Sequence, residues 1–328
     1  MRQNLSPILL LAGPGVILST AIVGGVVGAL TPLSWGAALL FGALISASDP
    51  VAVMALFKDL KAPGRLSVLV DGESLLNDAV AIVLFSSLLS VMKADAVGAM
   101  TAVHGAVDLV LVSVGGAAVG AALAVVYARG ARLAEDDPLV EIALSMVLAY
   151  TAFGVADYYL HVSGIIAVLV AGSVGGLLRR NRVGTDARAY LRHYWRYAEF
   201  VANSFVFLFL GIGGNMVLKR LLDGSAMGFT YIGYAVVAVT VARLIVVYGL
   251  IGLSNRYARA EPIDWRFQAI MFWGGGLRGA LPLVMALSLP LAFEHRQLIL
   301  DLTAGVVLFT LLVQGTTVSR LIRACGLS

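Results

Sequence analysis

The stretch DGESLLNDAVAIVLF, residues 71–85, places three carboxylates in a run of otherwise largely apolar residues. The acids are Asp71, Glu73 and Asp78, and Asn77 adds an amide beside the last of them. Charged groups are costly inside a membrane, and chains keep them there mainly where ions or protons move past them. This stretch therefore predicts a membrane helix that takes part in ion or proton movement.

The composition of the whole chain also indicates a membrane protein. Of its 328 residues, 60% are hydrophobic and only 13% are charged, and the mean hydropathy is +0.93. A soluble domain carries about 25% charged residues. We therefore expect an all-α, polytopic membrane protein with no separate soluble domain and no role in nucleic-acid binding. The single cysteine, Cys325, excludes an internal disulfide.

Apolar segments long enough to cross a bilayer, about 20 residues each, recur along the chain. We predict ten spans, at 7–30, 34–57, 66–91, 103–127, 138–158, 162–178, 199–218, 228–254, 267–291 and 298–319.

The basic residues fit one orientation of these spans. With the N-terminus inside, the inside segments hold 17 Lys and Arg residues, whereas the outside loops hold four. Cytoplasmic loops are enriched in Lys and Arg. The bias therefore predicts a cell-membrane protein with both termini in the cytoplasm. The basic and aromatic stretch 179–198 is predicted to lie along the cytoplasmic surface as a partly amphipathic helix.

Two of the predicted spans contain helix-breaking residues beside polar groups. In span 34–57, Pro50 lacks an N–H and disfavours helical geometry at Asp49. In span 267–291, four glycines surround Arg278 and a proline follows. Broken helices expose the backbone groups that bind ions in transporters. We expect two such breaks, and the alternative for the first is a simple proline kink in which Asp49 caps the second half.

The span 66–91 can present oxygen ligands on one face, because residues four apart on a helix lie side by side. Ser74 and Asp78 can offer a hydroxyl and a carboxylate to one cation. Glu73 and Asn77 lie on the neighbouring stripe. Asp78 is about 18 Å along the span, near the middle of the bilayer.

The predicted membrane interior contains charges of both signs. A buried arginine needs a carboxylate or carbonyl partner, so Glu73 is expected to pair with Arg243 or Arg278. Together with Asp49 and Asp78, these groups leave one negative charge. One proton or one monovalent cation would neutralise that charge, and competition between them for a single carboxylate is the minimum requirement for an antiporter.

Other kinds of protein use part of this pattern. Asp49 and Asp78 are candidates for the dyad of an intramembrane aspartyl protease, but the GxGD signature of those enzymes is missing from the sequence. A cation channel is a further alternative, although two broken helices around one occluded site favour a carrier. The simplest alternative assigns every buried polar residue to packing or ion pairing.

Four segments together resemble the sodium/proton exchanger family, the cation:proton antiporters that include bacterial Na+/H+ antiporters and animal exchangers. The segments are SASDPVAV, GESLLNDAVAIVLF, the span around Arg243, and GGGLRGALP, and their order and separation also match. The resemblance implies the sodium/proton antiporter fold, with inverted repeats, two broken helices that cross, and a dimer interface. It implies a single transmembrane domain, 1–328, in which 1–127 is the remainder of the first repeat and 138–328 is the second. It also implies that about three spans found at the start of family members are missing here.

The resemblance further implies roles for individual residues. Asp78 becomes the main ion and proton carboxylate, with Ser74 and Ser48 as Na+ ligands. Asp49 supports the site at the helix break. Asn77 occupies the place of an aspartate in electrogenic relatives, which implies electroneutral exchange.

The function that follows is secondary active exchange of Na+ or Li+ for H+ by elevator-like alternating access around Asp78. Exchange of K+ for H+ is the alternative within this class. Glu73, paired with Arg243 or Arg278, would stabilise the site. We expect no enzymatic activity, no cofactor beyond the transported ions, a lipid bilayer around the protein, and a homodimer.

Overall fold

The computed structural model describes residues 4–60, 62–93, 99–131, 137–179, 184–222, 226–257 and 262–327. Within these ranges all regular secondary structure is helical. The helices are α1 Leu5–Ala12, α2 Pro14–Leu30, α3 Trp35–Ser46, α4 Val51–Asp59, α5 Gly64–Lys93, α6 Ala99–Gly130, α7 Pro138–Gly154, α8 Gly164–Arg179, α9 Thr185–Leu222, α10 Ala226–Leu244, α11 Ile251–Tyr257, α12 Trp265–Trp273, α13 Ala280–Leu287, α14 Arg296–Phe309 and α15 Gly315–Ala324. Short π-helical turns follow α7, α10 and α14, at Val155–Tyr159, Ile245–Leu250 and Thr310–Gln314.

These helices confirm the prediction of an all-α membrane protein. In the described part of the chain, six stretches of helix are long and apolar enough to cross a membrane. They are Leu5–Leu30, Gly64–Met92, Leu111–Gly130, Pro138–Tyr159, Gly228–Arg256 and Arg296–Ala324. Two shorter apolar helices, α3 and α8, fall in other predicted spans. Each of the ten predicted segments coincides with a helix or a helix pair, while the number of spans stays a prediction.

The described part of the stretch 179–198 is largely helical, as predicted, while its position along the cytoplasmic surface stays a prediction. Residues 180–183 lie outside the described residues. Helix α8 ends at Arg179, and most of the stretch belongs to α9, which continues without interruption through Thr185–Leu222. No glycine or proline occurs between 185 and 210. Nothing in the local sequence therefore ends the helix before the apolar segment begins.

The chain forms two compact units, one made of Met1–Leu89 with Val206–Ser328 and the other of Ser90–Phe205. In the first unit α2 packs against α3 and α10, and α13 packs against α3 and α14. The contact between α2 and α3 is close because it is lined by glycine. A Cβ added to Gly42 would lie 2.6 Å from the Thr20 carbonyl oxygen, and small residues allow such approaches between membrane helices.

The second unit is built around α8, which packs against α6 and α7. Its core consists mainly of alanines: Leu148, Ala152, Ala156, Ala167 and Ala171. On α6, a Cβ at Gly116 or Gly120 would collide with backbone carbonyls of the segment that enters and forms α8. Small side chains therefore determine how closely these helices approach.

Candidate ion-binding site

Two interrupted helices meet in the first compact unit. Helix α3 ends at Ser46 and α4 begins at Val51, and Ala47 between them is extended. Helix α12 ends at Trp273 and α13 begins at Ala280. The backbone N–H of Asp49 in the first break donates to the carbonyl oxygen of Leu277 in the second, at 2.9 Å. The two breaks are therefore in direct contact.

Gly279 makes this contact possible. A Cβ at this position would collide with the carboxylate of Asp49. Protein interiors leave no room for such an overlap without displacing neighbours. A residue without a side chain is therefore required where the second break passes the first.

Arg278 holds the end of α3 by hydrogen bonds to carbonyl oxygens. Its Nη1 donates to the carbonyl oxygens of Ser46 and Ala47, each at 2.9 Å, and the residue is 3% exposed. The last carbonyls of a helix have no partner within the helix and carry its negative dipole end. The guanidinium supplies a donor to two carbonyls at this helix end. The backbone N–H of Arg278 donates to Thr310 Oγ1 at 3.2 Å, in one of the π-helical turns.

Asp49 caps the helix that follows the first break. Its Oδ1 accepts a hydrogen bond from the backbone N–H of Val51 at 2.9 Å. The cap considered in the sequence analysis is therefore present. It accompanies a complete break between Ser46 and Val51, not a simple proline kink.

One face of α5 contacts the first break through side chains. The Ser74 hydroxyl donates to the Ser48 carbonyl oxygen, and Asn77 Nδ2 donates to Ser48 Oγ at 3.4 Å. All three residues are buried. The structure thus brings Ser48 together with Ser74 and Asn77, which lie 26 and 29 residues further along the chain.

Asp78 lies at the same place. Its carboxylate interacts with the backbone N–H of Ser48, and Asp49 and Arg278 are close enough to act on it electrostatically. The Oδ1 atoms of Asp78 and Asn77 are both buried without a hydrogen-bond partner. Buried polar atoms in proteins almost always have partners. The two unpartnered oxygens on adjacent residues therefore make this place a candidate site for a positively charged group.

Glu73 and Arg243 form a buried ion pair beside this place. Both Glu73 carboxylate oxygens accept from the Arg243 guanidinium, the bond from Nη2 to Oε2 being 3.0 Å long. Nη2 also donates to the Met271 carbonyl oxygen at 2.8 Å. A Cβ at Gly275 would lie 2.7 Å from the same Nη2. Glu73 is thus the partner of Arg243, while Arg278 takes carbonyl partners.

The pairing of Glu73 with Arg243 reduces the number of groups that set the net charge of the site. Glu73 and Arg243 neutralise each other, which leaves Asp49, Asp78 and Arg278 with one excess negative charge. Two helix breaks that cross beside a buried carboxylate are the arrangement found in secondary transporters with discontinuous helices. The fold and the site place the chain in that class of membrane proteins.

The comparisons with known proteins identify the family. The family model described as sodium/hydrogen exchanger, transmembrane, matches residues 1–324. The chain belongs to this family, which consists of transporters and not of enzymes, and this confirms the resemblance seen in the sequence.

Curated relatives of the chain carry antiporter names. It is 36% identical over 331 residues to the Na(+)/H(+) antiporter ApNhaP of Aphanothece halophytica. This alignment covers 100% of the chain and 61% of that protein. It is 35% identical to the Na(+)/H(+) antiporter NhaG of Bacillus atrophaeus, and this alignment covers 100% of the chain and 60% of that protein. For NhaH of Halobacillus aidingensis the identity is 34%, over 97% of the chain and 76% of the relative. The chain therefore spans about three fifths of the length of the first two relatives.

A solved structure shares the fold. The sodium proton antiporter MjNhaP1 from Methanocaldococcus jannaschii, at pH 8, superposes with a TM-score of 0.79 at 18% sequence identity. The match covers 98% of the chain and 79% of that structure. This likeness confirms the predicted antiporter fold.

Sequence reasoning missed two buried polar residues near the second break. Thr310 accepts the Arg278 backbone N–H. Gln314, one turn further along, is 4% exposed and its Oε1 has no hydrogen-bond partner. The available signal was their spacing, because residues four apart in an otherwise apolar span lie on one face of the helix.

Proposed function

We propose that the chain is a secondary active antiporter that exchanges Na+ or Li+ for H+, one for one, at Asp78. One observation carries this proposal: the buried, unpartnered Oδ1 atoms of Asp78 and Asn77 at the crossing of the two helix breaks. The antiporter names of the relatives support the same chemistry.

The residues around Asp78 suit a small hard cation. Such ions take oxygen ligands, and the Asp78 carboxylate, the Ser74 hydroxyl and Ser48 supply them. The Ser74 hydroxyl donates its proton to the Ser48 carbonyl, so its lone pairs point away from that bond and can face a cation. Asp49 supports the site by capping α4. A proton on Asp78 would replace the cation, and either occupant removes the excess negative charge.

Exchange requires that the site face the two sides of the membrane in turn. We propose elevator-like alternating access, with Asp78 moving in its neutralised state, because an uncompensated charge is costly in the membrane interior.

We propose a homodimer in the cell membrane. We also propose that both termini lie in the cytoplasm, as the distribution of Lys and Arg favours.

Proton release from reconstituted vesicles tests this function. In vesicles that contain the full chain and a pH-sensitive dye, we expect Na+ and Li+ to drive proton movement more strongly than K+. Asp78→Asn should reduce this movement to that of empty vesicles, because the amide neither takes up a proton nor binds a cation as a charged ligand. The matched control is Asp71→Asn on the same helix, where the side chain is exposed, and it should retain exchange.

An imposed membrane potential tests the stoichiometry in the same vesicles. Each net charge moved would change the driving force by about 2.3 kcal/mol per 100 mV. One-for-one exchange should leave the final ion distribution unchanged by the potential. Full exchange by Asp78→Asn would refute the role of Asp78, and a potential-dependent end point would refute electroneutrality.

A further inference from the structure

Two carbonyl oxygens at the end of α12 lack a hydrogen-bond donor. The Ile270 carbonyl oxygen accepts from the backbone N–H groups that follow the helix, and the Met271 carbonyl oxygen accepts from Arg243 Nη2. No residue in the described part of the chain donates to the carbonyl oxygen of Phe272 or of Trp273. The last carbonyls of a helix carry its negative dipole end and need donors from outside the helix. The second break therefore has two acceptors that are not satisfied.

The side chain of Gln314 ends at the same place. A Cβ added to Gly276 would lie 2.8 Å from the Phe272 carbonyl oxygen and 3.5 Å from the Trp273 carbonyl oxygen. The same point is 3.4 Å from Gln314 Oε1. Gln314 is 4% exposed, and its Oε1 has no hydrogen-bond partner. Three acceptor oxygens thus surround one point beside a buried glycine.

A glutamine side chain can supply the donor that these oxygens lack. Oxygen atoms with partial negative charge repel one another, and buried acceptors without a donor are rare. The amide of Gln314 carries two N–H donors beside its oxygen. A half-turn of this amide exchanges the two ends, which are nearly equal in size. Its NH2 group then faces the two carbonyl oxygens.

The helix face that carries Gln314 already contacts the chain on both sides of the break. Thr310, at the start of the same π-helical turn, accepts the backbone N–H of Arg278 after the break. Trp273, the last residue before the break, donates from Nε1 to Thr317 Oγ1 at 2.8 Å. Gln314 lies between Thr310 and Thr317, about one turn from each. It is therefore placed to bind the carbonyls that end α12.

We propose that the Gln314 amide donates to the carbonyl oxygens of Phe272 and Trp273 and thereby positions the second break for ion binding. Gln314 then has the role at the end of α12 that Arg278 has at the end of α3. The effect on transport rests on the proposed function, whereas the hydrogen bonds do not.

A neutral donor at this place suits the charges of the site. The cation at the second break, Arg278, is already counted in the single excess negative charge, and Arg243 is neutralised by Glu73. A further cation at position 314 would cancel that excess charge. An amide satisfies the carbonyl oxygens and leaves the negative charge for a proton or a monovalent cation.

Thermal unfolding of two variants of the detergent-purified full chain tests the hydrogen bonds. In Gln314→Glu, a protonated carboxyl group can donate, whereas an ionised carboxylate only accepts. The unfolding midpoint of this variant, relative to the unmodified chain at the same pH, should therefore fall as the pH rises. Gln314→Met has a similar length and no donor, so its midpoint should be lower at every pH. Gln297→Met, at an exposed glutamine of α14, is the matched control and should leave the midpoint unchanged.

Na+-driven proton movement in vesicles tests the positioning. Gln314→Met should raise the Na+ concentration for half-maximal movement about tenfold, the factor that corresponds to about 1.4 kcal/mol. Gln314→Glu should match the unmodified chain at acidic pH and the methionine variant at alkaline pH. The charged groups at this break, Arg278 and the pair of Arg243 with Glu73, are the same in every variant. Comparison at each pH therefore isolates the change at position 314.

Two outcomes would overturn the proposal. Normal stability of Gln314→Met, together with a Gln314→Glu midpoint that does not respond to pH, would assign Gln314 to packing alone. Tighter Na+ binding by Gln314→Glu at alkaline pH would instead make position 314 a cation ligand. If Gln314→Met does not fold, the pH response of Gln314→Glu decides. If the unmodified chain moves no protons in response to Na+, the proposed function fails, and the unfolding measurements still decide this inference.

Discussion

At the scale of single residues, side chains that are adjacent in the sequence make different contacts, because successive residues of a helix point in different directions. Glu73 is neutralised by Arg243, whereas the next residue, Ser74, contacts the first helix break. Asn77 and Asp78 each keep one oxygen without a partner. The ion pair neutralises Glu73, whereas the unpartnered oxygens belong to the site that we propose for the transported ion.

The Glu73–Arg243 pair should be a strong determinant of stability. Removing one partner of a buried pair leaves an uncompensated charge and typically costs about 3–5 kcal/mol. We expect Glu73→Gln or Arg243→Gln to lower the thermal unfolding midpoint in detergent sharply, and the double variant to lose less than the two single losses together.

An exposed pair provides the control for that measurement. Asp264 and Arg266 are about half exposed, with 4.0 Å between their charged atoms. Exposed pairs contribute about 0–1 kcal/mol, so Asp264→Asn should hardly move the midpoint. Strictly additive losses at Glu73 and Arg243 would show that the two side chains are not coupled.

Thr310 should be needed for the second helix break. Its hydroxyl accepts the Arg278 backbone N–H and donates to the Val307 carbonyl oxygen at 3.0 Å. Thr310→Val removes the acceptor, and a buried donor left unpaired costs about 1–3 kcal/mol. We expect a lower unfolding midpoint and weaker Na+-driven proton release.

The serine variant tests this explanation. Thr310→Ser keeps the hydroxyl and should stay close to the unmodified chain in both measurements. Equal damage by Val and Ser would instead assign the role of Thr310 to its methyl group and its packing.

At the scale of elements, the interruption of two helices creates the site. Each break replaces helical hydrogen bonds with contacts to the other break: Asp49 N–H bonds Leu277, and Arg278 bonds the carbonyls at the end of α3. The breaks are therefore stabilised by each other. A change that separates them should affect both the fold and ion binding.

Gly279→Ala is the smallest change of this kind. Its Cβ would collide with the Asp49 carboxylate, and overpacking typically costs about 1–3 kcal/mol. Because the collision is at the crossing itself, we expect loss of Na+-driven proton release together with a lower unfolding midpoint. Both are measured on the purified, reconstituted variant.

Gly25→Ala on α2 is the matched control, since a Cβ there meets no atom within 4 Å. It should leave transport and stability unchanged or slightly improved, because alanine favours helix. Normal transport by Gly279→Ala would mean that the two breaks need not be in close contact.

At the scale of the whole molecule, we propose that charge outside the membrane determines the orientation and that buried charge determines the function. The arginines of predicted cytoplasmic segments favour one orientation in the membrane, while the buried charges nearly cancel. Packing in both compact units relies on glycine and alanine, which permit close approach between helices.

Cysteine labelling tests the orientation. Cys325 is the single cysteine and is buried, so Cys325→Ala provides a background without thiols. In cells treated with a membrane-impermeant maleimide, Glu294→Cys should be labelled, because this exposed position follows the ninth predicted span. Asp186→Cys, also exposed, should be labelled only after the membrane is opened. The reverse pattern would refute the proposed orientation.

The sequence by itself determined the class of fold, the position of the helices and the place of both breaks. It also singled out Ser48, Asp49, Ser74, Asn77 and Asp78, which the structure brings together. These features follow from local causes: hydropathy, the helical spacing of residues, and the effect of proline and glycine on the backbone.

Only the tertiary structure decided the partners of the buried charges. Glu73 and Arg243 lie 170 residues apart, and Arg278 lies 232 residues from Ser46, whose carbonyl it binds. Either arginine satisfies the sequence-level requirement that Glu73 have a positive partner. The choice depends on the geometry of helices that come together only on folding, as does the support that Thr310 gives to the second break.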